Sequence, residues 1–266
     1  MSVHFASLKG SRDHNEDRHN IILGLTNPKD DIAPINFYGI YDGHGGKFVS
    51  KYLSNNMPQY FTKPDITYPL TPEFVNKVYD EIQNTLYSSY ENKATECGST
   101  CLIVCQFINN GKKYINVANV GDSRCVMCRS NIAIPLTRDH KPNWPDERAR
   151  ISKLGGQIQF DNHDWRINDL SVSRVYGDKA SSKYVRSHPD LYKYQLRNTD
   201  KFLIMACDGL WDVCTPQEAV NFVIDNCYDV NMNRINKNVN IARKLAEHAL
   251  NMESSDNVTI IVIFID

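Results

Sequence analysis

Several features are missing from this sequence, and each absence removes a class of function. The 30 basic and 31 acidic side chains leave a formal net charge of −1, and no block of like charge builds up along the 266 residues. That removes the electrostatic footprint expected for a nucleic-acid or anionic-membrane partner. No stretch is long and apolar enough to span a bilayer, and Met1 to Arg12 hold no apolar run of the kind a signal peptide requires. Serine at position 2 argues against N-terminal myristoylation. Repeats, low-complexity linkers and composition breaks are missing too. A single domain over 1–266 is therefore expected, monomeric and without a regulatory tail after Asp266.

Cysteine is present in quantity, as Cys97, Cys101, Cys105, Cys125, Cys128, Cys207, Cys214 and Cys227. Most stand inside apolar runs, where a free thiol behaves as a small core residue. Cys125-Val126-Met127-Cys128 has the spacing of half a zinc ribbon, but no second pair follows it. Buried thiols in a reducing compartment are expected, in the cytoplasm or also the nucleus.

Short strands are predicted over 3–9 and 19–25, with the charged cluster Ser11 to Arg18 between them and a loop over 27–34 following. The apolar run Phe37 to Tyr41 stops on Asp42, and Gly43-His44-Gly45-Gly46 turns it into a helix over 47–57. A proline-containing loop (58–71) leads to Thr71-Pro72, a helix start, with Phe74, Val78, Ile82 and Leu86 as the apolar stripe. Strands 99–108 and 113–120 are joined by the hairpin signal Asn109-Asn110-Gly111-Lys112. A third strand over 124–129 is expected to continue that antiparallel run. A helix opens at Trp144-Pro145 and closes at Gly155-Gly156. The segments 157–170 and 179–190 lack periodicity and read as surface segments, with a flap among them.

The run Phe202 to Cys207 ends on Asp208, and the capping box at Thr215 starts a helix to about 226. An asparagine-rich loop (229–238) precedes a helix set by Val239, Ala242, Ala246 and Ala249. The last strand, 258–265, is apolar throughout and expected to be buried on both faces. Hairpin links without a βαβ rhythm give an α+β protein of antiparallel sheets with helices on the outer faces.

Asp42, Asp122 and Asp208 each follow a strand, and Asp256 precedes the last one. With antiparallel neighbours, all four share one rim, with Glu16 available from the early cluster. Crowded carboxylates repel unless a cation neutralises them, and all-oxygen donors suit Mg2+ or Mn2+. Arg12 offers a planar fork for phosphate oxygens, and His44 can donate a proton near neutral pH. The alternative for each aspartate is a solvated turn residue. Together the groups suit hydrolysis of a phosphate ester.

The order Arg12 to Glu16-Asp17, Asp42-Gly43-His44-Gly45-Gly46, Gly98-Ser99-Thr100, Val120-Gly121-Asp122-Ser123-Arg124 and Asp139-His140-Lys141-Pro142 resembles the metal-dependent Ser/Thr protein phosphatases of the 2C type. The resemblance continues through Glu147 to Arg150, Leu170 to Arg174, Gly177-Asp178, Cys207-Asp208-Gly209-Leu210-Trp211-Asp212 and Asp256-Asn257, and covers almost the whole chain. It implies a sandwich of two antiparallel sheets flanked by helices, with the metal site at one end. It also implies hydrolysis of phosphoserine and phosphothreonine in proteins by a metal-bridging hydroxide, without a phosphoenzyme. By position, the metal ligands would be Glu16, Asp42, the Gly43 carbonyl, Asp122, Asp208 and Asp256, for two Mn2+ or Mg2+ ions with a possible third. Asp17 would orient its neighbours, Arg12 would hold phosphate and His44 would protonate the leaving oxygen.

Asp169 departs from the family pattern where glycine is usual, Cys101 and Cys125 replace commoner alanines, and the segment after Asp178 is short. Two alternatives remain at this stage. A non-catalytic binding module would be expected to lack a rim residue, and all are present. A hydrolase of small phosphorylated metabolites would share the same site.

Overall fold

Side-chain alternation sets the layering of this protein. The computed structural model describes residues 2–26, 34–63, 66–161, 164–231, 233–235 and 239–265. One five-stranded antiparallel sheet has the order Val3–Leu8, Val258–Phe264, Asp200–Ala206, Arg124–Arg129, Ile132–Pro135. The other runs Asp190–Gln195, Lys112–Val120, Cys101–Asn109, Ile35–Tyr41, Arg18–Leu25. Successive strand residues face opposite ways, so Cys125 and Met127 turn inward against Tyr38, Ile40, Leu102 and Val104. Val126 and Cys128 turn outward to the helices Pro216–Cys227 and Ile241–Asn251. The outer face of the second sheet is covered by Phe48–Tyr60 and Pro72–Ser89. This is the four-layer α-β-β-α sandwich expected.

The same alternation disposes of the zinc-ribbon spacing, since thiols three apart on a strand lie on opposite faces of the sheet. All eight cysteines are buried and unpaired. The final strand is buried at every residue, as expected for a strand paired antiparallel on both sides and covered on both faces.

Several helix signals act as read. Thr71 Oγ1 accepts from the Phe74 amide, and Thr215 and Glu218 close a reciprocal capping box. The helix after Gly46 runs on to Tyr60, past the boundary expected at 57, with Pro58 inside it. Proline lacks the N–H that would bond the Ser54 carbonyl, and Asn20 Nδ2 donates to that carbonyl instead, at 3.0 Å.

One expectation fails. Strand 124–129 does not continue the run of its two predecessors; the chain crosses to the other sheet at Gly121-Asp122-Ser123. Gly121 has φ +101, and a Cβ there would strike Thr100, so glycine both permits the turn and lets it close.

The segment 157–170 is also more ordered than a bare surface segment. Gln159–Asp161 pairs with Asp164–Arg166 as a hairpin. Ile151, Ile167, Val172, Val175 and Val185 form a small apolar cluster of their own, with Ile158 and Leu170 packed against it. Their spacing follows neither a helical nor a strand period, which is why the pattern is silent. The loop expected at 27–34, apart from Pro34, lies outside the described residues, as does part of the asparagine-rich loop. Among the described residues no helix is long and apolar enough to cross a membrane.

Candidate active site

The two sheets deliver their carboxylates to one end of the sandwich. Asp42 follows a strand of one sheet, Asp208 follows a strand of the other, and Asp122 sits on the crossing between them. Carboxylate oxygens of Asp42, Asp122 and Asp208 all lie within 4.8 Å of one another. Thr100 ties them together: its Oγ1 accepts from the Asp42 amide at 3.1 Å and bonds Ser123 Oγ at 2.8 Å. Asp256, Glu16, Gly43, Arg12 and His44 line the same cleft, which measures about 1050 Å³. Every residue singled out from the sequence is therefore at this end. Asp256 accepts from Arg12 Nη2 at 2.7 Å. Glu16 is fixed by its backbone, its amide donating to Asn257 Oδ1 at 2.8 Å.

The electrostatics are those of a site short of positive charge. Burial, then the charges of Asp208, Asp17, Asp122 and Asp256, push the Asp42 carboxyl well above the usual carboxylate range. Burial and the charges of Asp122, Asp212 and Asp256 do the same to Asp208. Burial first of all raises Asp17 to about 6. Among the described residues, neither carboxylate oxygen of Asp17 nor the buried Oδ1 of Asp208 has a hydrogen-bond partner. Orphaned acceptors of this kind are costly in a closed core. The donor set is oxygen-rich and convergent, and it fits a hard divalent cation.

His44 is held from the side. Its Nε2 lies 2.6 Å from Oδ2 of Asp178, a carboxylate only 5% exposed. Burial alone would lower the imidazole pKa, but the bond to Asp178 and the charges of Asp178, Asp122 and Glu16 raise it overall. Gly98 makes room for the pair, because a Cβ there would collide with both Asp178 Oδ2 and His44 Nε2.

Three residues carry parts of the site for which the sequence reading named no role. Asp178 supports His44 from an αL conformation (φ 47) just after Gly177. Asp212 lines the cleft one turn beyond Asp208 and is raised to about 6, by burial first; its i, i+4 spacing to Asp208 was the available signal. Lys141 donates to Asp122 Oδ2 at 2.7 Å and to Asp164 Oδ2 at 3.2 Å. Nothing in the pattern around Asp139-His140-Lys141 marks that bridge in advance.

A carboxylate-lined cleft of this kind at the end of an α-β-β-α sandwich suits a metal-dependent phosphate-ester hydrolase. The crystal structure of a serine-threonine phosphatase 2C from Toxoplasma gondii matches it with a TM-score of 0.81 at 26% identity, over 98% of this chain and 94% of that one. A family model described as Protein phosphatase 2C matches residues 1–258, and the chain belongs to that family of metal-dependent Ser/Thr protein phosphatases. A PP2C-like domain-containing protein of Acanthamoeba polyphaga mimivirus is 46% identical over 170 residues, 58% of this chain and 95% of the viral one. Probable protein phosphatase 2C 7 of Oryza sativa subsp. japonica is 34% identical over 265 residues, and this chain spans 65% of its length.

Proposed function

We propose that this chain is one catalytic domain that hydrolyses phosphoserine and phosphothreonine in protein substrates, using two Mn2+ or Mg2+ ions and a third more weakly held. The convergence of Asp42, Asp122 and Asp208 beside a histidine already held by Asp178 carries the reading. Asp42, Asp208, Asp256, Glu16 and the Gly43 carbonyl would hold the two principal ions, and Asp122 would serve the third. When bound, the ions would supply charge neutralisation and an acidified water for direct hydrolysis, with no phosphoenzyme.

The chain's own residues do the rest. Arg12, its side chain 58% exposed and lining the cleft, receives the phosphate oxygens. His44, protonated and oriented by Asp178, gives its proton to the departing serine or threonine oxygen, a role worth roughly 10²–10⁴-fold. Asp17 orients the carboxylates around it. The reading needs no thiol, and Cys207 Sγ, beside Asp208, is engaged with the Asn257 carbonyl and the Thr259 amide. The protein would work as a monomer in the cytoplasm or nucleus, on phosphorylated proteins and without nucleic acid or membrane.

The direct test is turnover of a phosphothreonine peptide with Mn2+, with EDTA, and by Asp208→Asn. Metal-dependent turnover that disappears in the other two arms is expected. Absence of turnover in folded protein across Mg2+ and Mn2+ would overturn the reading.

A further inference from the structure

We propose that Lys141 is a positioning residue that holds the flap hairpin to the carboxylate rim, and that a divalent cation arriving at Asp122 displaces its ammonium and frees the hairpin. The inference rests on the reading of Asp122 as part of the metal-binding rim.

The ammonium of Lys141 is shared between two carboxylates of different standing. Asp122 is 3% exposed and sits on the sheet crossing, 2.7 Å from Nζ; Asp164 is 32% exposed, opens the second strand of the hairpin, and lies at 3.2 Å. Lys141 itself is 19% exposed. Asp122 is thus the deep anchor and Asp164 the movable end. Among the described residues, Asp164 Oδ1 accepts from the Trp165 amide, and Arg166 Nη1 donates to the Asp169 carbonyl just beyond the hairpin. Trp165 packs on Phe160 across the hairpin, ring centroids 5.3 Å apart. Lys141 therefore reaches across from the rim to the hairpin through Asp164.

One carboxylate oxygen of Asp122 also belongs to the cluster, within 4.8 Å of oxygens of Asp42 and Asp208. A divalent cation held there brings twice the charge of the ammonium into the same space, and the two repel at contact distance. Once Nζ leaves Asp122, the pair it keeps with Asp164 becomes an ordinary solvent-exposed ion pair between mobile side chains, which restrains little. Filling the rim and freeing the hairpin become one equilibrium, and each must bias the other.

Hydrogen exchange of the hairpin segments 159–161 and 164–166, read in the full chain, tests this without any turnover. In EDTA, Asp164→Asn is expected to exchange faster than the unmodified chain by about tenfold. Lys141→Met should match it, while the helix Pro216–Cys227 stays unchanged in both. Adding Mn2+ should bring the unmodified hairpin up toward the variants and leave the variants where they are. By calorimetry, the weakest Mn2+ binding event should tighten by about tenfold in Lys141→Met, whose competing cation is gone. Equal exchange in Asp164→Asn and the unmodified chain would overturn the tether, and so would a hairpin that slows when Mn2+ is added. Either result in a chain that still hydrolyses the phosphopeptide would leave the phosphatase reading standing.

Discussion

His44 Nε2 and Asp178 Oδ2 lie 2.6 Å apart, joining residues 134 positions distant in the chain. The bond has a direction of effect on pH dependence. Burial pulls the imidazole pKa down, and Asp178, with the charges of Asp122 and Glu16, reverses it overall. A raised pKa keeps the acid protonated to higher pH, so the falling limb of kcat on the alkaline side reports it. Asp178→Asn removes the support, and that limb should move to lower pH, with kcat down about tenfold or more near pH 8. A pH–rate profile decides it; an unmoved alkaline limb would take the acid role away from His44.

Gly98 gives an independent handle on the same pair. A methyl group at this position meets Asp178 Oδ2 and His44 Nε2 at once. Gly98→Ala should lower kcat by at least about tenfold through misplacement of the acid, while Mn2+ affinity by calorimetry stays as it was. Equal loss of metal binding would mean the disturbance reaches the rim.

The carboxylate cluster should trade stability for function. Asp208 carries a buried, unpartnered oxygen among like charges. In EDTA at neutral pH, Asp208→Asn should raise thermal stability by about 1–2 kcal/mol while abolishing turnover. Differential scanning calorimetry with and without Mn2+ reads the stability effect, with the unmodified chain gaining most from the ion, and phosphopeptide turnover reads the other. A variant less stable than its parent in EDTA would contradict the charge-repulsion account.

Glu147 makes the opposite kind of site. It is 1% exposed and accepts from Arg150, Arg174 and Arg186. Burial would raise its pKa, but the guanidinium groups bring it to about 2. A depressed carboxylate contributes stability that is present above its unfolded value and lost as pH falls toward the folded one. Unfolding free energy should therefore drop by a few kcal/mol between about pH 4.5 and 2, and Glu147→Gln should flatten that part of the curve while lowering stability at neutral pH. Urea titrations across the range would show it.

The thiols should be silent in the folded chain. Burial pushes Cys128 and Cys214 up to about 11 and Cys101 to about 12. Ellman's reagent should label all eight only as fast as the protein unfolds, and the protein should retain no zinc through Cys125 and Cys128. Rapid labelling without denaturant would contradict their burial.

The strands that end on aspartate were legible because apolar runs and their stops survive in one dimension. So were the two proline-assisted helix starts at Thr71 and Thr215, whose signals are local. The sheet switch at Gly121 was not, because strand pairing depends on where the chain travels next. Asp178 and Lys141 were hidden for a similar reason: a histidine's partner and a lysine's two carboxylates are chosen by the fold. Asp169, conspicuous as a departure from glycine, occupies φ +67, a region aspartate tolerates better than most side chains.

The crossing at Gly121-Asp122-Ser123 has one more effect. It splits the rim between two leaves that share a core but no strand pairing, with Asp42 on one leaf, Asp208 and Asp256 on the other, and Asp122 at the seam. An ion gripped from both sides is a rivet as well as a reagent. Stripping it should loosen the seam before any strand frays, so lifetime against proteases ought to follow the same cation as turnover.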